Sequence, residues 1–254
     1  MIEKKMKKSN YTDFGYEKML PEEKRKRVSN LFNSVAGKYD LMNDLMSLGV
    51  HRYWKHFTAN IAGLREGDSV LDIAGGTGDM ARLFAPRVGV SGSVTVCDLS
   101  YEMVAAGRSR LLNYGIYKTV RYVQGDAENL PFADNSFDLV SIAFGLRNIT
   151  DKPKALRSFF SKLKYGSSLY ILEFSKVTLP LLRDVYHQYS DNYIPILGKI
   201  IAKDEASYRY LVESIRMHPD QESLKFMIEQ AGFSRVEYNN LSGGIVAIHK
   251  AYKL

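Results

Sequence analysis

The 254-residue chain has a single cysteine, Cys97. That excludes an internal disulfide and fits a reducing compartment. Inside a predicted strand, Cys97 reads as a small buried apolar residue. No apolar run reaches the ~18 residues that span a bilayer, so no transmembrane segment is expected. Met1 to Asn10 is basic but lacks an apolar h-region, and so does not read as a secretory signal. Glu3 also sits poorly in a transit peptide. Internal repeats and low-complexity tracts are missing. Acidic residues are in the minority, 28 against 35 Lys and Arg, for a net charge of +7. The excess gathers at Lys4, Lys5, Lys7 and Lys8, and again at Lys24-Arg25-Lys26-Arg27. Three readings fit such runs: a solvated arm, attraction to an anionic membrane at about 1 kcal/mol per basic residue, and nucleic-acid binding. Charge alone does not separate them.

What is present is a regular alternation. Residues 1–20 read as an N-terminal arm, and 21–254 as one α/β domain. From Pro21 a helical pattern carries Val28, Leu31, Phe32 and Val35 toward Gly37, and a second helical segment covers 51–62. Apolar strands at 69–74, 93–97, 119–123, 137–142 and 168–173 then alternate with helices at 78–86, 101–113 and 152–163. Such alternation predicts a doubly wound, mostly parallel sheet whose ligands bind at the carboxyl ends of its strands. Residues 176–219 break the pattern as an inserted helical region around Pro195. A helix at 220–231 closes at Gly232. Strands 234–240 and 244–250, joined only by Leu241-Ser242-Gly243, demand an antiparallel hairpin. A seven-stranded sheet ending in that hairpin looks like the class I methyltransferase fold.

The chemistry gathers on one predicted rim. Val70-Leu71-Asp72-Ile73-Ala74-Gly75-Gly76-Thr77-Gly78-Asp79 runs from an apolar strand through a glycine turn into a helix. Glycines permit positive φ and let a ligand lie against bare backbone, while the helix start offers free N–H groups. The next strand ends in Asp98, placed to take both hydroxyls of a ribose. The turn lacks the G-x-G-x-x-G spacing of a dinucleotide site. Gly125-Asp126-Ala127 follows the third strand, where Asp126 and Ala127 can meet an adenine edge. Other readings accompany these: Thr77 as a helix N-cap, Asp126 as the cap of a short helix, Asp72 as support for the turn, and Asp138 as a strand entrance.

The segment from Gly125 to Val140 is similar to the adenine-side stretch of S-adenosylmethionine-dependent methyltransferases. At Tyr39-Asp40-Leu41-Met42-Asn43-Asp44-Leu45-Met46-Ser47-Leu48-Gly49-Val50-His51-Arg52-Tyr53-Trp54 the likeness narrows. This block resembles the Y-D-x-M-N-x-x-M-S-x-x-x-H-x-x-W signature of the ubiquinone/menaquinone biosynthesis C-methyltransferases. Phe144-Gly145-Leu146-Arg147-Asn148, Leu172-Glu173-Phe174-Ser175, Ser207 to Leu211 and Glu213 to Pro219 match as well, so the resemblance runs from about Phe14 to Leu254. Two departures stand out. Leu163-Lys164-Tyr165-Gly166-Ser167 replaces an L-K-P-G-G loop, with Gly166 left to supply the turn. Ala143 stands where the family often has Ser, which removes one hydroxyl.

The resemblance implies methyl transfer from S-adenosylmethionine to a ring carbon of demethylmenaquinol or of a polyprenyl methoxy-benzoquinol. No metal is implied. The acceptor must be the quinol, because an oxidised ring is electron-poor. By motif position Gly75, Gly76, Thr77 and Gly78 hold the methionine end, with Asp72 able to meet its ammonium. Asp98 then holds the ribose, and Asp126 with Ala127 the adenine. Arg147 is the first catalytic candidate. It cannot serve as a base at neutral pH but can stabilise a phenolate or position a water; a loop-fixing salt bridge is the alternative. Tyr39, Asp40, Asn43 and His51 are candidates for the acceptor pocket. Trp54 and Tyr53 read as core ahead of substrate stacking. Met42, Leu45 and Met46 read first as core packing; the other reading is that the N-terminal helices and residues 176–205 form an apolar route for an isoprenoid tail and touch the membrane. A cytoplasmic protein follows, with peripheral contact at the inner face of the membrane and room for self-association or association with other quinone-biosynthesis proteins.

Two other classes remain to be weighed. Against a nucleic-acid methyltransferase, N/D-P-P-Y is missing and Cys97 sits in a strand, so no nucleic-acid partner is expected. A non-catalytic assembly protein would not need the glycine turn, Asp98 and Asp126 together.

Overall fold

A computed structural model describes residues 11–35, 41, 43–44, 47–190 and 205–254. The first element is a small antiparallel hairpin, β1 (Thr12–Phe14) and β2 (Glu17–Met19), pairing Thr12 with Met19. The sequence reading made this stretch part of an arm. It is instead pinned to the body: Phe14 stacks on Tyr210 with centroids 4.0 Å apart, and Tyr16 N–H donates to Glu213 at 3.2 Å. Gly15 turns the hairpin at φ +58°, in contact with Glu213. Three-residue strands are too short to show an alternation in sequence.

Helix α1 (Pro21–Val35) begins at the expected proline, and α2 (Val50–Ile61) follows. The expected end of α1 near Gly37 lies outside the described residues. β3 (Ser69–Ile73), α3 (Asp79–Val88), β4 (Ser93–Asp98), α4 (Tyr101–Asn113), β5 (Val120–Gln124) and β6 (Phe137–Ala143) carry the alternation. α5 (Lys152–Lys162), capped by Asp151, leads directly into β7 (Leu163–Phe174). That strand starts five residues before the 168 read from sequence. Where a turn loop was expected, Gly166 sits at φ +83° inside extended backbone, its N–H donating to Lys253 O at 2.7 Å. α6 (Pro180–Gln188) and α7 (Glu205–Met217) are the described parts of the insertion, and Pro195 lies outside. α8 (Gln221–Gln230), β8 (Ser234–Leu241) and β9 (Val246–Tyr252) complete the described elements.

The seven strands lie in the order β5-β4-β3-β6-β7-β9-β8. β9 is antiparallel to both β7 and β8, and the rest are parallel. Alternate side chains enter opposite layers, because successive residues of a strand face opposite ways. Val70, Val96 and Leu139 join Trp54 and Phe84 on one face; Leu71, Ile73 and Ile142 join Leu156 and Phe159 on the other. Chain order reverses between β3 and β6, and the carboxyl ends of those strands open a crevice there. Asp72, between Leu71 and Ile73, therefore projects into the layer of α2 and α3.

Candidate active site

The glycine turn after β3 is built by left-handed backbone. Ala74 (φ +49°), Gly76 (φ +54°) and Gly78 (φ +83°) all lie there, and Gly78 N–H closes onto Gly75 O at 2.9 Å. Only two of the three are glycine, so Ala74 carries strain of order 1–3 kcal/mol. Phe144, at the matching end of β6, does the same at φ +57°. Crowding explains the other glycines. A Cβ at Gly75 would lie 2.8 Å from Asp72 Oδ2, and one at Gly107 on α4 would lie 2.8 Å from Gly76 O. At Gly145 it would meet Ala74 Cβ at 2.5 Å. The N-cap of α3 is Gly78, so Thr77 is not the cap. Thr77 instead accepts from Arg110 Nη1 at 3.1 Å.

Asp98 ends β4 and ties the turn to the next crossover. Gly76 N–H donates to its Oδ2 and Ser100 N–H to its Oδ1, each at 2.9 Å. Burial pushes this carboxyl up, and the backbone amides pull against that. A cleft of about 780 Å³ opens beside it, lined by Ala74, Gly76, Asp98, Leu99, Asp126 and Ala127 among others, with Val28 and Phe32 of α1 on the far side. Asp126 spends Oδ1 on Glu128 N–H at 2.9 Å, closing a turn, while Arg25 stands 3.9 Å from Oδ2. Arg25 itself pairs with buried Glu128.

Behind the turn a narrower recess holds Lys55, Asp72, Thr77, Asp79 and Ala143. Asp79 is bound by Lys55 Nζ at 2.7 Å and by Arg110 Nη1 at 2.7 Å. Burial opposes the charge of Asp79, yet these two cations prevail and hold its carboxyl well below the usual range. Asp72 has no such relief. It is 1% exposed and neither carboxylate oxygen has a hydrogen-bond partner. Burial pushes it up to about 8, helped by Asp79 and Asp98 and resisted by Lys55 and, weakly, by the Ala81 amide, which lies beyond full hydrogen-bond geometry. A buried acid in this state keeps its proton at neutral pH unless a cation is brought to it. The recess and cleft together suit a nucleoside that carries an amino acid.

The other candidates fall differently. Arg147 is buried, not open on the rim. Its Nη1 donates to Glu173 Oε1 at 2.9 Å and to Phe144 O at 2.5 Å, and its backbone N–H donates to Glu173 Oε2 at 3.1 Å. The guanidinium carbon lies 5.5 Å from the Phe174 ring centre. This is the loop-fixing ion pair weighed as the alternative, and it pins the turn after β6 to the end of β7. His51, also buried, places Nε2 2.9 Å from Asp44 Oδ1, while Nδ1 has no partner. Burial and then the Lys55 charge lower its imidazole, outweighing Asp44. Trp54 is core, donating to Ser242 at 3.0 Å and packing on Phe144 and Phe174, whereas Tyr53 is exposed. Asn43 is buried. Tyr39, Asp40, Met42, Leu45 and Met46 lie outside the described residues. Asp138 accepts from Ser69 N–H at 2.9 Å, a strand-entrance role.

Lys55, Asp79, Arg110, Asp44 and Glu173 belong to this constellation without having been assigned a part from sequence. Glu173 had a signal: a carboxylate inside the run Leu169-Tyr170-Ile171-Leu172 to Phe174 must be buried, and buried carboxylates are paired.

A sheet in this order, with a carboxylate closing a glycine turn at the switch point, defines the architecture of the S-adenosylmethionine-dependent methyltransferases. Solved structures agree on the fold. One of a SAM-dependent methyltransferase from Aquifex aeolicus superposes with a TM-score of 0.62 at 19% identity, covering 85% of this chain and 98% of that one. The [4+2]-cyclase SpnF gives 0.65 at 16% identity over 90% and 96%, so the fold by itself does not fix the reaction. The sequence does. Residues 20–253 match the model of the ubiE/COQ5 methyltransferase family, and the chain belongs to that family. It is 54% identical to the ubiquinone/menaquinone biosynthesis C-methyltransferase UbiE of Idiomarina loihiensis, over 95% of this chain and 96% of that protein. Identity to UbiE of Legionella pneumophila (strain Paris) is also 54%, over 95% and 97%. The chain is thus a C-methyltransferase of quinone biosynthesis with S-adenosylmethionine as methyl donor.

Proposed function

We propose that the cleft and recess hold S-adenosylmethionine end to end, and that a ring carbon of a polyprenyl hydroquinone takes its methyl group beside Phe144 and Gly145. The observation that carries this reading is Asp98. Its two oxygens are oriented by Gly76 and Ser100 amides at 2.9 Å, and its remaining lone pairs are left for a diol. Leu99, Met103 and Ala127 supply apolar sides for a base, and Asp126 an acceptor for its amine. In the recess, Asp72 receives the ammonium and Lys55 the carboxylate of the amino acid.

The donor supplies an electrophilic methyl on a sulfonium; the chain's residues must supply a nucleophilic carbon and a dry site. Loss of a phenolic proton from the hydroquinone raises electron density at the ortho carbon. We assign that proton to His51. With Nε2–H donating to Asp44 Oδ1, the neutral ring carries its lone pair on Nδ1, and Asp44 orients the ring. Arg147 acts as a positioning residue, since its guanidinium is bound to Glu173 and Phe144 O. It fixes the turn that carries Phe144 and Gly145.

No helix among the described residues is long and apolar enough to cross a membrane. Exposed Leu41, Leu48, Val50 and Tyr53 cluster in sequence at the start of α2, and with the basic N-terminus they support peripheral contact with an anionic membrane. The test is expression in cells lacking their own quinone C-methylase, with quinones identified by mass spectrometry. Methylated ubiquinone, menaquinone or both should return with the wild-type chain and not with Asp98→Ala. Unmethylated quinones in both would overturn the proposal.

A further inference from the structure

A second cavity, of about 560 Å³, lies where the β1–β2 hairpin meets the amino end of α5 and the side of α7. Asp13, Lys24, Arg147, Thr150, Lys152 and Tyr210 are among its walls. Thr150 also lines the nucleoside cleft, so the two share a wall without merging. The methyl transfer described above has no use for Lys24 or Lys152.

Lys24 is buried and Lys152 half-buried, an unusual setting for two neighbouring cations. Lys24 is 2% exposed, and its Nζ donates to Ile149 O at 3.3 Å; Lys152 Nζ donates to the same oxygen at 3.3 Å. An ammonium has three N–H donors, so both are underused. Of the neighbouring carboxylates, Glu128 pairs with Arg25 and Glu173 lies 2.9 Å from Arg147. Asp13, on the cavity wall, lies 2.8 Å from exposed Lys18, and its charge acts on Lys24 and Lys152 without an ion pair to either. Asp151 caps α5 by accepting from Lys154 N–H at 2.9 Å. Among the described residues no ion pair reaches either Nζ. The amino end of α5 adjoins the same space through Lys152 and Pro153; its cap is supplied by Asp151, which takes the Lys154 amide, so the cationic character here comes from the two lysines.

We propose that this cavity binds a phosphate group, held by the Lys24 and Lys152 ammoniums at the amino end of α5 and independent of the methyl donor. Two point cations beside a helix start match a compact dianion with several acceptor oxygens better than a single carboxylate. The cavity is open to solvent, which leaves room for the phosphate to be carried on a small phosphomonoester or on a lipid headgroup. Electrostatics point the same way. Burial and then Lys152 lower Lys24 to about 7, and burial lowers Lys152; a dianion between them restores both charges.

The test is thermal unfolding and calorimetry of the full chain with inorganic phosphate against chloride at matched ionic strength. Saturable stabilisation by phosphate is expected, unchanged when S-adenosylhomocysteine is present. Lys24→Met and Lys152→Met should each weaken phosphate binding about tenfold or more while binding S-adenosylhomocysteine like the wild type. A flotation arm compares vesicles containing phosphatidic acid with phosphatidylcholine alone. Phosphate binding without Lys152-dependent flotation assigns a soluble phosphomonoester, and both together assign the lipid. No phosphate-specific stabilisation of the wild type overturns the proposal, as does phosphate binding that S-adenosylhomocysteine displaces. Should either variant fail to fold, those two wild-type outcomes still decide.

Discussion

Replacing Asp72 by Asn should stabilise the ligand-free protein and weaken its hold on the methyl donor. Asp72 is a buried acid without a hydrogen-bond partner, raised from 3.8 to about 8. Its proton is bound more tightly in the folded chain than in the unfolded one. The folded state therefore loses stability as pH rises from about 4 to about 8, by ~1.4 kcal/mol per pH unit from this group and roughly 5 kcal/mol in all. Asn carries no such slope. It does leave its own amide unsatisfied, at about 1–3 kcal/mol. Near pH 8 the variant should thus be the more stable by roughly 2–4 kcal/mol, and near pH 4 equal or weaker.

Denaturant unfolding of both chains from pH 4 to pH 8, without ligand, measures the difference. Comparing slopes cancels every other titrating group. Binding provides an independent arm. If the ligand's ammonium replaces the Asp72 proton, calorimetry in buffers of different ionisation enthalpy should show about one proton released per ligand at pH 7. Asp72→Asn should release none, and its affinity should fall roughly ten- to a hundredfold, the value of one charge-assisted hydrogen bond. Parallel pH slopes for the two chains would refute the reasoning, because the acid would then not be carrying an uncompensated charge.

Asp98→Ala should fold yet lose at least about a hundredfold in donor affinity by calorimetry, since two hydrogen bonds to a carboxylate disappear together. Arg147→Ala breaks a buried pair with Glu173 and should cost about 3–5 kcal/mol in denaturant unfolding; Arg147→Ala/Glu173→Gln should recover part of that stability. If Arg147 only positions the turn, the double variant also regains part of kcat, which a residue touching the acceptor would not allow. His249 is lowered from 6.5 to about 4 by burial, and His218 well below 6.5, so the folded chain binds fewer protons than the unfolded chain below pH 6.5. Stability should fall as pH drops from 6.5 toward 4, by roughly 3 kcal/mol from His249 alone; His249→Gln should flatten that part of the curve.

The half of the candidate site proposed for the donor was legible in the sequence because its geometry is local. A glycine turn after an apolar strand, and a carboxylate ending the next one, are each written within about ten residues of chain. The sheet then brings them together by ordinary parallel pairing, Ile73 beside Cys97, which sets Gly76 against Asp98. The other half was not legible, because its meaning depends on partners far apart in the chain. Arg147 reads as a rim cation until Glu173, twenty-six positions on, is seen to take it. His51 reads only as an acceptor-pocket candidate until its burial, the Lys55 charge that lowers its imidazole, and its bond to Asp44 are seen. The hairpin at 12–19 was missed for the same reason. Its strands are too short for a pattern, and Tyr210 and Glu213, which hold it, come almost two hundred residues later. A motif in sequence therefore says which atoms can bind a ligand, whereas the protonation state and the freedom to act are set by long-range contacts. That is why an Arg read as a rim cation is found paired with Glu173 in the folded chain, and why a His read as an acceptor-pocket candidate is found buried against Asp44.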